Sequence, residues 1–391
     1  MKLREYLKSN ILVADGAMGT LFARQCTDPE LCAEEGSFYR PDLIARIHRG
    51  YLDAGAKLIR TNTFDAGRKL AEKAGLFTKE EQDKYIRNLI GKSWEIAKKE
   101  VEAHGGNAFI AADIGPSVLE SPEEDYDAFE ECRFLIDIFL DNGADIFYFE
   151  TFPEAGLILK AAQYIKEKKP DSFVIASFAA SRNGYTTRGK SLRKLFEEAG
   201  GSGDIDCIGC NCLMNSLHMR QRLSKLYVPA DKFLLAMPNS GYEIAARNVS
   251  SPGSGAGYFG ATAAGMASLG VNILGGCCGT TPDHIRAISE NVHGAPASRA
   301  KMPEGGEKGE VRKYSLINQF AKKLDEGRYL HEALESTGVF PPYLVNMTRI
   351  GEETGNLDNV MEALKNHYTR EEDIRQSVKQ AVTYPIVMAG M

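Results

Sequence analysis

Eight short apolar runs recur along the chain up to about residue 280, and most are followed by an amphipathic helical pattern. Because the runs are almost continuously apolar, they predict strands of a parallel sheet that is covered on both faces. The predicted strands are Ile11–Met18, Lys57–Phe64, Asn107–Gly115, Asp145–Phe152, Ser172–Ala180, Asp206–Cys212, Phe233–Ser240 and Val271–Cys278. Eight strand–helix units favour an α/β fold that closes into a (β/α)8 TIM barrel over an open doubly wound sheet.

Helical patterns lie between the predicted strands, and a linker follows the barrel. The predicted barrel helices are Pro41–Ala54, Glu80–Ala103, Phe129–Asn142, Ala155–Lys168, Ser191–Ala199 and Gly257–Leu269. The stretch from Gly294 to Lys313 is rich in glycine, proline and charge, which is typical of a linker. We therefore predict a barrel over residues 1–295, a linker over 296–313 and a short all-α tail over 314–391.

Charge and the N-terminal segment limit the possible partners and location. The net charge is -6 and no long basic run is present, which argues against nucleic acid as a partner. The charged N-terminus has no apolar segment of the kind that a secretory signal needs, and no window reaches the roughly 18 apolar residues of a membrane span. We expect a cytoplasmic protein without a membrane span in this chain.

Polar and thiol groups cluster where the predicted strands end. A barrel enzyme has its active site at the carboxyl ends of its strands, so these segments predict a catalytic site. The segments are Asp15–Thr20, Thr61–Phe64, Asp113–Ser117, Glu150–Phe152, Gly209–Cys212, Pro238–Gly241 and Gly275–Thr280.

The chain has eight cysteines, and three of them end strands that lie close together. Cys212 ends the sixth strand and Cys277 and Cys278 end the eighth, so only one strand separates them. Three soft thiolates select zinc and leave its fourth position open, as catalytic zinc needs. A closed structural site of four thiolates is the rival interpretation; its members would be Cys207, Cys210, Cys277 and Cys278. We interpret Cys26, Cys32 and Cys132 as small buried hydrophobic residues.

Two carboxylates, Asp15 and Glu150, stand beside apolar strand residues. An unpaired buried charge is costly, so each needs a partner. One interpretation is a helix N-cap or a salt bridge with an arginine from a loop. The other is the capture of a cationic amine of the substrate.

Seven motifs in this order resemble the homocysteine S-methyltransferase family over about residues 5–295. The resemblance is strongest to the homocysteine-binding modules of cobalamin-dependent methionine synthase and of the fusion with methylenetetrahydrofolate reductase. The motifs are Asp15–Thr20, Thr61–Phe64, Asp113–Pro116, Glu150–Phe152, Gly209–Cys212, Met237–Gly241 and Gly275–Pro282, of which the last is highly specific.

The resemblance implies three groups of site residues. The implied zinc ligands, through which catalysis would occur, are Cys212, Cys277 and Cys278. The implied contacts to the amino-acid end of homocysteine are Asp15, Gly16 and Glu150. The residues implied to line the pocket are Thr61, Asn62 and Asn239.

The resemblance also implies a reaction, in which a methyl group is transferred to the zinc-bound thiolate of L-homocysteine to give methionine. The donor is expected to be methylcobalamin or methyltetrahydrofolate, supplied by a separate cobalamin or folate module or as a free molecule. Betaine and S-methylmethionine are the other donors considered. A catalytically incomplete module that only binds homocysteine is an open alternative.

The tail resembles a different family, the inner-membrane platform protein of type II secretion and type IV pilus assembly. The resemblance rests on Leu324–Leu334 and Phe340–Leu357, with Tyr384–Val387 placed like the start of that family's first membrane helix. Gly351 and Gly355 predict a break between two amphipathic helices. The tail is then either a truncated fusion or an adaptor, and a secretion or pilus assembly interaction protein with a passive barrel is the second functional hypothesis.

Overall fold

A computed structural model describes residues 2–119, 127–240, 255–294, 329–336, 341–364 and 367. Two compact units make up the chain, Met1–Glu304 and Gly305–Met391. The predicted linker over 296–313 lies outside the described residues. The predicted domain boundaries therefore stay predictions.

Eight parallel strands form the centre of the first unit. They are β1 Leu12–Val13, β2 Leu58–Arg60, β3 Phe109–Ile114, β4 Ile146–Phe152, β5 Phe173–Phe178, β6 Cys207–Asn215, β7 Phe233–Asn239 and β8 Ile273–Leu274. Each strand pairs with its sequence neighbour, and β8 pairs with β1. A parallel bridge between Ala14 and Leu58 joins β1 to β2, so the sheet closes. The predicted (β/α)8 TIM barrel is confirmed.

Helices surround the barrel in sequence order. They are α1 Leu3–Leu7, α2 Gly19–Gln25, α3 Gly36–Tyr39, α4 Pro41–Asp53, α5 Arg68–Lys73, α6 Lys79–Ala103, α7 Ala128–Asp141, α8 Gly156–Lys168, α9 Leu192–Gly200, α10 Ser216–Leu223, α11 Ala256–Ala267 and α12 Pro282–Val292, with a 3-10 turn at Pro116–Leu119. The six helices predicted from sequence correspond to α4, α6, α7, α8, α9 and α11. Local signals set some of the starts, as at α6, where Thr78 and Glu81 form a capping box.

The strands divide their apolar side chains between two layers, because successive residues of a strand point to opposite faces. The inward residues fill the barrel, among them Leu12, Leu58 and Ile175. The outward residues pack against the helices in the larger core cluster. Helix α1 adds Leu3 and Leu7 to the inner cluster, against residues that begin the strands. The amino-terminal end of the barrel is thereby filled, and the polar strand ends lie at the other end.

The second unit contains the described helices α13 Leu330–Ser336 and α14 Pro342–Glu353, and residues 357–364 are also helical. The Glu352 carboxylate accepts hydrogen bonds from the backbone N–H groups of Leu330 at 2.6 Å and His331 at 3.0 Å. The break predicted at Gly351 is wrong, because α14 continues through it. A Cβ there would lie 3.1 Å from the Cα of Leu357, so glycine permits close packing of the following segment. Gly355, with φ of +66°, lies between α14 and the helical residues 357–364, so the predicted break between two helices is confirmed there.

Within the described ranges, no helix combines the length and the apolar character that crossing a bilayer requires. The predicted similarity of Tyr384–Val387 to the start of a membrane helix lies outside the described residues.

Candidate active site

Three thiols meet at the carboxyl end of the barrel. Cys212 comes from β6, and Cys277 and Cys278 come from the loop after β8. The three sulfur atoms lie within 4.8 Å of one another, and the sulfurs of Cys212 and Cys278 are 3.7 Å apart. The residues that the sequence selected as metal ligands are therefore brought together.

The backbone turns sharply where β6 delivers its thiol. The register between β6 and β7 shifts after Asn211, and Cys212 and Leu213 have φ angles of +55° and +49°. The left-handed region costs a non-glycine residue about 1–2 kcal/mol, and such residues cluster at functional sites. Here the turn places the Cys212 sulfur beside the loop after β8.

The loop after β8 is fixed by hydrogen bonds on both sides of its two cysteines. The Cys277 N–H donates to the Pro238 carbonyl at 2.9 Å, and the Thr280 hydroxyl donates to the Cys277 carbonyl at 2.7 Å. A Cβ at Gly276 would approach the Thr280 side chain at 2.4 Å, so this close contact requires glycine. The turn lets two adjacent residues, Cys277 and Cys278, present their sulfurs to one point.

The three thiols share their protons unequally. Hydrogen bonds from the thiols of Cys277 and Cys278 lower the pKa of Cys212 to about 3, and Asn239 adds a weaker hydrogen bond. The hydrogen bond to Cys212 is also the main cause that raises the pKa of Cys278 to about 12 and that of Cys277 well above its usual value. These hydrogen bonds therefore favour the thiolate form at Cys212 and the thiol form at Cys277 and Cys278.

The spacing of the sulfurs fits a tetrahedral zinc ion. Zinc–sulfur bonds of about 2.3 Å at tetrahedral angles place two sulfurs about 3.8 Å apart, close to the 3.7 Å between Cys212 and Cys278. The group has three members among the described residues, which leaves one position of such an ion open. Its all-sulfur donor set suits zinc rather than a hard cation.

The rival four-thiolate site is wrong. Cys207 belongs to the cluster inside the barrel, whereas Cys210 packs on the outer, helix-facing side, as strand alternation requires. Cys132 is buried as predicted, but Cys26 and Cys32 are only partly buried. Both of these lie near the end of α2 and in the loop that follows, where they pack against the edge of the core.

Asp15 and Glu150 are joined by an arginine that the sequence interpretation overlooked. Arg60, the last residue of β2, donates from Nε to Asp15 at 2.8 Å and from Nη1 to both oxygens of Glu150 at 2.7 Å. Its Nη2 donates to the Gly16 carbonyl at 2.5 Å. All three charged side chains are buried. The interpretation that the two carboxylates form salt bridges with an arginine is therefore confirmed. Its assignment to an arginine from a loop is wrong, because Arg60 lies in a strand.

A second overlooked residue, Asn211, connects the carboxylates to the thiols. Its Nδ2 donates to Glu150 at 3.1 Å and lies 3.8 Å from the sulfur of Cys277. Its Oδ1 accepts from the Thr151 N–H at 3.0 Å and from the Ser177 hydroxyl at 2.7 Å. The Cys277 sulfur also lies 3.7 Å from Glu150 Oε1. The thiol cluster and the carboxylate pair therefore form one continuous site.

Thr61 and Asn62 stand at the end of β2 and are buried. The Thr61 hydroxyl accepts from the backbone N–H of Asp113 at 3.0 Å. The Asn62 amide donates to the Ala33 carbonyl and to the Ser37 hydroxyl, so it holds the segment before and within α3. Asn62 therefore supports the segment around α3, whereas Asn239 hydrogen-bonds the sulfur of Cys212.

A third acid, Asp113 at the end of β3, adjoins the carboxylate pair. Burial, followed by the charge of Glu150, raises the pKa of Asp113 well above its usual value. Burial also raises the pKa of Asp15, and the contacts with Arg60 oppose this change. Burial thus favours the protonated form of Asp113, and Arg60 is the cation that contacts the other two acids.

Two family profiles match the chain in separate regions. Residues 12–292 match the family described as homocysteine S-methyltransferase, and residues 306–391 match the family described as type II secretion system protein F.

Individual relatives agree with the first match. The chain is 30% identical over 328 residues to the methionine synthase of Mycobacterium leprae, an alignment that covers 78% of this chain and 26% of that protein. It is 29% identical over 303 residues to the homocysteine S-methyltransferase of Escherichia coli, which covers 72% of this chain and 95% of that protein. The chain thus spans about a quarter of the mycobacterial enzyme and almost the whole of the shorter one.

A solved structure shares the fold of the first unit. The metallated form of the homocysteine methyltransferase MmuM from Escherichia coli superposes with a TM-score of 0.57 at 25% sequence identity. The match covers 74% of this chain and 99% of that one.

Proposed function

The chain belongs to the homocysteine S-methyltransferase family, and we propose that it is a zinc-dependent enzyme that transfers a methyl group to the thiol sulfur of L-homocysteine to give methionine. The observation that carries the proposal is the convergence of three thiols at tetrahedral spacing at the end of a barrel where catalytic sites lie. The metallated form of the homocysteine methyltransferase MmuM from Escherichia coli supports a metal site in this family.

Cys212, Cys277 and Cys278 would hold the zinc. Bound zinc would lower the pKa of a thiol in its open position and so supply the thiolate that acts as the nucleophile. The acceptor sulfur forms a bond to the methyl carbon as the bond to the donor breaks, and the donor leaves with the electron pair. We propose no general base among the side chains of the site.

The carboxylate side of the site would receive the amino-acid end of the acceptor. We propose that Asp15, Gly16 and Glu150 lie along this end, because Glu150 is 3.7 Å from the Cys277 sulfur. Asn239 would face the acceptor sulfur from the side of Cys212, whose thiolate it stabilises. Thr61 would shape the pocket through its hydrogen bond with the Asp113 N–H of β3, and Asn62 through its contacts with Ala33 and Ser37.

The methyl donor is proposed to be methylcobalamin or methyltetrahydrofolate. The support is the similarity to proteins named methionine synthase, of which this chain matches about a quarter. The donor would then come from a separate cobalamin or folate module, and the reaction would take place in the cytoplasm. A module that binds homocysteine without catalysis is the alternative that a methyl-transfer assay would identify.

The second unit supports a second candidate function. Because residues 306–391 match type II secretion system protein F, we propose that residues 314–391 form a partial secretion-platform domain after a linker at 296–313. An interaction with a secretion or pilus machine would place this segment, and not the barrel, at the contact. Deletion of residues 314–391 would then abolish the interaction and leave methyl transfer unchanged.

The test of the main proposal is the zinc content of the purified protein. We expect about one zinc per chain, most of it lost in Cys212→Ser, with Cys210→Ser as the matched control that retains it. Cys210 lies on the same strand but faces the helices. Equal zinc in the two variants, or none in the unmodified protein after anaerobic reconstitution, would overturn the proposal.

A further inference from the structure

We propose that Arg60 is a specificity-determining residue that occupies the cation position between Asp15 and Glu150. An acceptor is then selected by its thiol much more than by a charged amino group. The inference rests on the proposed function, because it concerns the acceptor of that same reaction.

The guanidinium of Arg60 is fully engaged with the protein. Its Nε and Nη1 bind Asp15 and Glu150, and its Nη2 binds the Gly16 carbonyl at 2.5 Å and approaches that of Gly276 at 3.4 Å. An arginine has five N–H donors in a rigid fork. These contacts engage all three nitrogens of the guanidinium, so Arg60 has no N–H donor left to bind the carboxylate of an acceptor.

The two carboxylates have correspondingly little need for another cation. Asp15 Oδ1 accepts from the Arg60 side chain, and Asp15 Oδ2 accepts from the Arg60 backbone N–H at 2.9 Å. Both oxygens of Glu150 face Nη1 of the same arginine. Charge-assisted hydrogen bonds of this kind are the strong ones in proteins. A substrate ammonium would have to share or displace them.

The charges of the cluster lead to the same conclusion. Asp15 and Glu150 are two acids that share one guanidinium, and burial favours the neutral form of the neighbouring Asp113. The internal cation already contacts both carboxylates, so little attraction remains for a second one. Without Arg60 the two carboxylates would lack a cationic partner at the place where an ammonium group would arrive, and the attraction for that group would be larger.

Arg60 can be separated from the metal site experimentally, because it contacts none of the three thiols directly. The side-chain contacts between the two halves of the site run through Glu150 and Asn211, and Arg60 reaches the loop after β8 at the Gly276 carbonyl, at 3.4 Å. A change at Arg60 is therefore expected to alter the discrimination between acceptors and to leave the zinc stoichiometry unchanged.

The experiment measures dissociation constants by calorimetry for two thiols on zinc-loaded protein. One is L-homocysteine, and the other is 4-mercaptobutanoate, which has the same chain and carboxylate but no amino group. We expect the unmodified protein to bind the two within about tenfold. Arg60→Gln should increase the preference for homocysteine at least tenfold relative to the unmodified protein, a comparison that cancels the difference in thiol acidity. Arg60→Lys, which keeps a cation, should change the preference less.

Arg49→Gln is the control, because Arg49 pairs with Glu100 on the outside of the barrel and should leave the preference unchanged. A preference for homocysteine of a hundredfold or more in the unmodified protein would overturn the inference and leave the proposed function intact, even if Arg60→Gln failed to fold. An unchanged preference in a folded Arg60→Gln would also overturn it. Failure of both thiols to bind the zinc-loaded protein would overturn the inference and the proposed function together.

Discussion

The buried histidine behind the site makes the stability of the barrel depend on pH. His48 lies in α4, has no exposed surface, and neither of its ring nitrogens has a hydrogen-bond partner. Burial, followed by the charge of Arg60, lowers the pKa of His48 from 6.5 to about 4. Between pH 6.5 and about pH 4, the imidazole of the folded protein is therefore neutral while that of the unfolded chain is protonated.

The sign and size of the effect follow from this difference. Between pH 6.5 and pH 4 the unfolded chain binds the proton and the folded chain does not, so stability is lost as the pH falls. One proton changes the free energy of unfolding by about 1.4 kcal/mol per pH unit in this window. From pH 7 to pH 5 the loss attributable to His48 is about 2 kcal/mol.

The assay is urea unfolding followed by the fluorescence of Trp94, the only tryptophan in the sequence. Trp94 lies in α6 and contacts Phe139 of α7 in the barrel, so its signal reports on the first unit alone. His48→Leu removes the titrating group. Buried acids such as Asp15 and Asp113 also contribute to the pH dependence, in the opposite direction, but they do so in both proteins and cancel in the difference.

We expect the unmodified protein to lose about 2 kcal/mol more than His48→Leu on going from pH 7 to pH 5. The exposed His293 is the control, since His293→Leu should follow the unmodified protein. Parallel pH profiles for the unmodified protein and His48→Leu would refute the argument that His48 is buried, neutral and close to the Arg60 charge.

Two further predictions concern the site itself. Because hydrogen bonds keep Cys212 as a thiolate while Cys277 and Cys278 stay protonated, zinc binding should release about two protons. Calorimetry in buffers of different ionisation enthalpy counts them, and a value near three would show that Cys212 is protonated. Asn211→Leu leaves the half-buried Thr151 N–H and the buried Ser177 hydroxyl without their acceptor and should lower the free energy of unfolding by about 2–4 kcal/mol. A loss below about 1 kcal/mol in the Trp94 assay, comparable to that of Asn291→Leu on the surface, would contradict this role.

The barrel could be predicted because each strand is recognisable from a short stretch of sequence alone. Each apolar run is bounded by turn signals, and eight of them in succession with helices between leave few topologies. The site followed from the barrel, because the carboxyl ends of neighbouring strands must converge. This is why Cys212 and the Cys277–Cys278 pair could be joined across β7 before their distance was known.

The partner of the two carboxylates could not be found by the same reasoning. In a barrel the ends of the strands predict the site, whereas their interiors predict the core. Arg60 lies inside the predicted strand Lys57–Phe64, where core packing is the expected role. The available signal was a charge in an otherwise apolar run, since such a charge is seldom buried without a partner. Asn211 carried a weaker signal, because its contacts depend on the register of β6 with its neighbours.

The strained backbone conformations at the site could not be predicted from the local sequence. Hydrogen bonds to Asn211 maintain them. The non-glycine residues with positive φ in the described ranges are Thr151, Cys212 and Leu213, at the ends of β4 and β6. The Thr151 N–H and hydroxyl both hydrogen-bond Asn211, which directly precedes Cys212. One buried amide therefore fixes both turns, with the carboxylate of Glu150 on one side and the thiolate of Cys212 on the other. Because these hydrogen bonds lie within the protein, they contribute to ordering the site and reduce the energy that binding has to provide for it.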